Sequence, residues 1–99
     1  MDYSLDFTEQ EKKLIHQSTD LFNQQNAQYI TGISRQIQRV ITLDYSDKVA
    51  GMPSLFCDVE ITKLSQNLFE FSPENRAPEI VDLAHLQYLI SDFKLEQAL

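Results

Sequence analysis

The sequence predicts an α+β domain with a long N-terminal helix, a central β-hairpin or short antiparallel meander, and a C-terminal helix. Three observations lead there. A capped amphipathic pattern opens the chain, the alternating stretch "SLFCDVEIT" occupies residues 54–62, and a second amphipathic pattern closes the chain. Two glycines and three prolines in 99 residues favour long elements over many short strands. The length suits one domain, residues 1–99, with a core that needs no staples.

The first element begins at a T-x-x-E capping box, Thr8 to Glu11, with Phe7 before it as a staple. Apolar residues then recur at Leu14, Ile15, Leu21, Phe22, Tyr29, Ile30, Ile33, Ile37, Val40 and Ile41, covering one half of a helical wheel. Such a helix, from residue 8 to 41, is about 50 Å long. A compact domain of this size has a radius of gyration of only about 13 Å. The helix therefore either breaks, near "NQQNAQ" or Gly32, or is covered by a second copy of the chain. A third option takes "RVITLDY" out of the helix as a strand, because Val40, Ile41 and Thr42 are β-branched. On the helical reading, Arg35 and Arg39 form a solvated helix end.

"DYSDKVAGMPS" reads as a connection. In the stretch after it, Leu55, Cys57, Val59 and Ile61 face one way and Phe56, Asp58, Glu60 and Thr62 the other. A loop at "KLSQN" and a return strand "LFEFS" complete the hairpin. The alternative is an all-α four-helix bundle, because Cys57, Ile61, Leu64, Leu68 and Phe71 also fall at helical spacing. The last helix is expected from Pro78 onward, with Leu83, Leu86, Ile90 and Phe93 as its core stripe.

The chemistry is sparse. One cysteine and two histidines make no metal-ligand pattern. Cys57, between apolar strand neighbours and beside Asp58, reads as a buried thiol and not a nucleophile. His16 precedes Asp20 by four residues and His85 follows Asp82 by three, spacings that arise by chance on helix surfaces. The glycines are too few for a phosphate loop or a dinucleotide fingerprint. No catalytic, cofactor-binding or metal-binding residue is assigned, and no cofactor is expected.

Charge is uneven. Residues 1–11 carry four acids and no base, residues 12–43 four bases and one acid, and residues 44–99 ten acids and four bases. The net charge of −7 argues against direct binding to a phosphate backbone and suits a basic partner. No apolar run approaches the roughly 20 residues that span a bilayer. With a single thiol and an acidic start, the expectation is a cytoplasmic protein that does not enter membranes.

By elimination, the expected function is a non-catalytic, small acidic protein-interaction module of adaptor, inhibitor or chaperone type, working as a homodimer. The alternative is an acidic nucleic-acid mimic that blocks a nucleic-acid-binding partner. A small enzyme with a minimal site near His85 stands third. The candidate interface residues are Val81, Ala84, Tyr88 and Leu95, a second stripe on the last helix, with Tyr29 and Ile30 on the first.

Overall fold

A computed structural model describes residues 6–26, 29–47 and 56–95. Helix α1 (Glu9–Gln25) is followed by strands β1 (Tyr29–Ile37), β2 (Val40–Asp47), β3 (Phe56–Ser65), β4 (Leu68–Pro73) and β5 (Glu79–Val81), then by helix α2 (Leu83–Ser91). The five strands form one antiparallel meander in sequence order. Both helices lie on one face of it, in contact with each other. The α+β class is thus as the sequence predicts, and the four-helix alternative is excluded.

Helix α1 starts where its capping box places it. The Glu11 amide donates to Thr8 Oγ1 at 3.1 Å, and the Thr8 amide donates to Glu11 Oε1 at 2.9 Å. Phe7, just before the cap, joins the core cluster that includes Ile15 and Phe22 of α1. Its ring stacks on Phe69 of β4, 5.9 Å away, and is buried there.

The long helix is corrected. It ends at Gln25, where Asn26 caps it by donating from its amide and from Nδ2 to the Phe22 carbonyl. Residues 29–47 are instead a β-hairpin, so Arg35 lies on a strand and not at a helix end. The physical reason for the misreading is a β-bulge. The pairing shifts register between Ile33 and Arg35, which breaks the period-two alternation and leaves Ile30, Ile33, Ile37 and Ile41 at helix-like spacing. The β-branched option for "RVITLDY" is the one the chain takes. Arg39 makes the turn with φ 62°, a left-handed backbone uncommon outside glycine. It is held there by Lys63, whose amide donates to the Arg39 carbonyl at 2.8 Å and whose carbonyl accepts from Arg39 Nε at 3.3 Å.

The central hairpin forms as expected, with Cys57, Val59 and Ile61 buried and Phe56, Asp58 and Glu60 exposed. Leu55 lies outside the described residues. The five-residue loop is shorter than expected. Strand β3 runs on through Ser65, and Gln66 and Asn67 alone make the turn, with Asn67 at φ 55°. The last helix also starts later than Pro78. Ile80 and Val81 pair with Glu70 and Phe69 as an edge strand, and Asp82 caps α2 by accepting from the His85 amide at 2.9 Å.

Two polar ties hold the helices to the sheet. Tyr45, buried in β2 against the rings of Phe22 and Phe93, donates its hydroxyl to the Ile90 carbonyl of α2 at 2.7 Å. Burial pushes its phenol pKa upward. Lys63 continues the inward series Cys57, Val59, Ile61, and its side chain is only 2% exposed. Its ammonium donates to Glu11 Oε1 at 2.9 Å, Glu11 Oε2 at 3.2 Å and the Asp6 carbonyl at 3.1 Å. Glu11 therefore serves the helix cap and the buried ion pair together.

Candidate functional site: the open face of the sheet

With both helices on one side, the other side of the meander has no covering layer among the described residues. Register decides what it displays. Inward Ile41, Leu43 and Tyr45 alternate with Thr42, Asp44 and Ser46 on β2. On β3 the outward residues are Phe56, Asp58, Glu60 and Thr62.

Antiparallel pairing places Asp44 directly opposite Asp58. Glu74, just past β4, extends the same row: its carboxylate accepts from the Asp58 amide at 3.2 Å, and its own amide donates to the Asp58 carbonyl at 3.0 Å. The next row runs Arg35, Thr42, Glu60, Ser72 across four strands. Like charges directly opposite on a sheet are destabilising, and no ion pair relieves these among the described residues. A hydrogen bond to Asp58 that only the protonated Asp44 carboxyl can donate, then partial burial, then the Asp58 and Glu74 charges raise the Asp44 pKa above the ordinary carboxylate value.

At the centre of this face lies a depression of about 280 Å³ lined by Arg35, Thr42, Asp58, Glu60, Ser72 and Glu74. Thr42 forms part of its floor and is 7% exposed, and its Oγ1 has no hydrogen-bond partner. Exposed apolar side chains flank the charged centre, with Phe56 on one side and Ile37 and Ile80 in a single cross-strand row on the other.

The residues picked from sequence as an interface are not brought together as one stripe. Tyr88 and Ala84 are exposed on α2, Val81 is half-buried in β5, and Leu95 is buried in the core. Leu95 departs from the stripe because the chain leaves the α-helix at Asp92 and turns back onto the core. Tyr29 and Ile30 belong to β1 and not to a helix; their side chains are outside the described set. His16 is exposed on α1. His85 is exposed on α2, its ring edge-on to Tyr88 at 6.2 Å. The Asp82 carboxylate meets the His85 backbone amide as a helix cap. Cys57 is buried, which raises its thiol pKa. Among the described residues no three His, Cys, Asp or Glu side chains are grouped to hold a metal ion, and no helix is long and apolar enough to cross a membrane.

Sequence reasoning saw Asp58 and Glu60 facing outward but missed Asp44, assigned to a connection, and Glu74, which lies in the turn after β4. The signal was the alternation of "ITLDYS", which puts Thr42 and Asp44 on one face once β2 is recognised as a strand. No protein-family model matches the chain, and neither curated proteins nor solved structures yielded a match.

Proposed function

We propose that the protein is a non-catalytic interaction module that docks a basic protein surface on the open face of its sheet. The carrying observation is the set of carboxylates at Asp44, Asp58, Glu60 and Glu74, gathered from two strands and the β4–β5 turn onto one uncovered face without paired cations. A partner's lysines and arginines would relieve that repulsion, which makes charge the source of both attraction and orientation. Exposed Phe56 supplies an aromatic contact beside the charged centre.

The nucleic-acid mimic is the weaker reading. Besides the carboxylates named above, Glu70 shares the open face, whereas Asp82 and Asp92 sit at opposite ends of α2 and Glu79 lies on the other side of the edge strand. A patch of this kind fits a local basic surface better than an extended phosphate-like rail. The case for a homodimer rested on an overhanging helix; with α1 ending at Gln25 that motive lapses, and self-association is not carried into the proposal. A cytoplasmic setting suits the buried, unpaired Cys57.

Affinity capture with the wild type and with the triple variant Asp58→Asn/Glu60→Gln/Glu74→Gln tests the proposal. The expected result is a partner with a basic contact surface, held by the wild type and lost from the variant while circular dichroism shows an unchanged fold. Equal capture by both proteins would contradict it. A loss of any measured catalytic activity on His85→Ala would instead favour an enzyme.

A further inference from the structure

We infer that the Asn23 side chain guards the outer edge of β1 against strand addition by a second copy of the chain.

Among the described residues β1 has one neighbour in the sheet, β2, so a row of its backbone donors and acceptors points away from the sheet. Such a row is a template for another strand. The opposite edge, β5, is only three residues long. β1 has nine residues, and its two halves differ. After Ile33 the pairing shifts register and Arg35 is exposed; a bulge and a charge are common means of spoiling an edge. Residues 29–33 have neither. Their pairing with β2 is regular, and they hold no charge and no proline. Local repulsion does not keep copies apart here either, because residues 21–43 contain no aspartate or glutamate.

Asn23 supplies what this half lacks. It follows Phe22, whose buried ring meets Tyr45 edge-on at 4.9 Å, and Tyr45 is the cross-strand partner of Thr31. That anchor sets the Asn23 side chain beside the strand. Asn23 Nδ2 donates to the Thr31 carbonyl at 3.3 Å, and the Thr31 amide donates to Asn23 Oδ1 at 3.1 Å. A carboxamide joined to both the N–H and the C=O of one residue repeats the exchange made by a neighbouring antiparallel strand. Backbone groups of alternate residues share one edge, so those of Tyr29 and Ile33 face the way Thr31 does. A second copy lying antiparallel along residues 29–33, with Thr31 on the two-fold axis, would pair all three. It needs the place on Thr31 that Asn23 fills. The edge is therefore self-complementary and blocked at its centre.

A tie that only fastens α1 to β1 would affect stability alone, whereas a guard also controls self-association. The test compares the full wild-type chain with Asn23→Ala by sedimentation equilibrium from micromolar to millimolar concentration, and by amide hydrogen exchange at both ends of that range. Alanine favours the helix and adds no apolar bulk to the edge. The wild type should stay monomeric, and the variant should form dimers as concentration rises. In the dilute variant the Thr31 amide should exchange about tenfold faster than in the wild type, the scale of one hydrogen bond. In the concentrated variant the Tyr29, Thr31 and Ile33 amides should gain protection together. Asn23→Asp keeps an acceptor for the Thr31 amide and puts a negative charge on the edge, so it should stay monomeric. A monomeric Asn23→Ala at every concentration, whatever its stability, would overturn the inference. So would dimers protected elsewhere than residues 29–33, a wild type that dimerises through them, or association of Asn23→Asp equal to that of Asn23→Ala. Should Asn23→Ala fail to fold, Asn23→Ser takes its place with the same expectations, since one short hydroxyl cannot span both Thr31 groups.

Discussion

On the covered face of the sheet the buried cation Lys63 has all three donors engaged, two on Glu11 and one on the Asp6 carbonyl, and the Tyr45 hydroxyl reaches the Ile90 carbonyl. On the open face of the same strands Asp44 stands opposite Asp58, and Thr42 Oγ1 has no partner at all. The covered face pairs the cation and the phenol it buries, leaving the Thr31 hydroxyl opposite Tyr45 without a partner; the open face keeps like-charge repulsion and an orphan hydroxyl that simple substitutions would remove. Departures of this kind are expected where a surface serves something other than stability. They also separate the two faces by experiment, because polar substitutions should destabilise on one face and stabilise on the other.

The largest effect belongs to Glu11→Ala. It strands a buried ammonium and removes half of the helix cap, so urea unfolding should show a loss of about 3–5 kcal/mol. The paired replacement Lys63→Met/Glu11→Leu should recover most of it, since a well-packed apolar pair can match a buried ion pair. Tyr45→Phe comes next, with a loss of about 1–3 kcal/mol for the unmade bond to Ile90. On the open face the sign reverses. Thr42→Val should raise the unfolding free energy measured in urea by roughly 1 kcal/mol, as an orphan hydroxyl gives way to an apolar group of the same shape.

Asp44→Asn should give the smallest change, a gain of about 0.2–1 kcal/mol at neutral pH from relief of the cross-strand repulsion. Its signature is in the pH profile. The Asp44 pKa is raised in the folded chain, so the folded state holds a proton that the unfolded state has released. Stability contributed by this site therefore falls as pH rises through that raised pKa, and returns on acidification toward the ordinary carboxylate value. The asparagine variant should lose that slope. A wild type and variant with parallel profiles would show that the two aspartates do not interact.

The covered face was largely legible in the sequence. The Thr8–Glu11 box and the Cys57–Val59–Ile61 alternation are local patterns seen where their residues predict, and of the Leu83, Leu86, Ile90 and Phe93 stripe Leu86 and Ile90 are buried on α2 while Phe93 is buried just past its end. Lys63 obeyed the same alternation but was read as part of a turn, because a lysine seldom sits on a buried face. The N-terminal half was misread for a local reason, the bulge after Ile33 that disguises β1 as a helix. The open face was hidden for a different one. Its residues come from β1, β2, β3, β4 and the turn after β4, and only the register of four paired strands brings Arg35, Thr42, Glu60 and Ser72 into one row. No local spacing carries that information, so the charge surplus of residues 44–99 was visible in sequence while its focus was not.

The most direct test of the docking face is an amide chemical-shift map of the full chain titrated with poly-arginine at physiological ionic strength, where weak surface attraction is screened. The shifts should concentrate on Asp44, Asp58, Glu60, Ser72 and Glu74 and leave α1 and α2 unchanged. Shifts of equal size at Glu79, Asp82 and Asp92, or a response centred on Tyr88, would contradict the account.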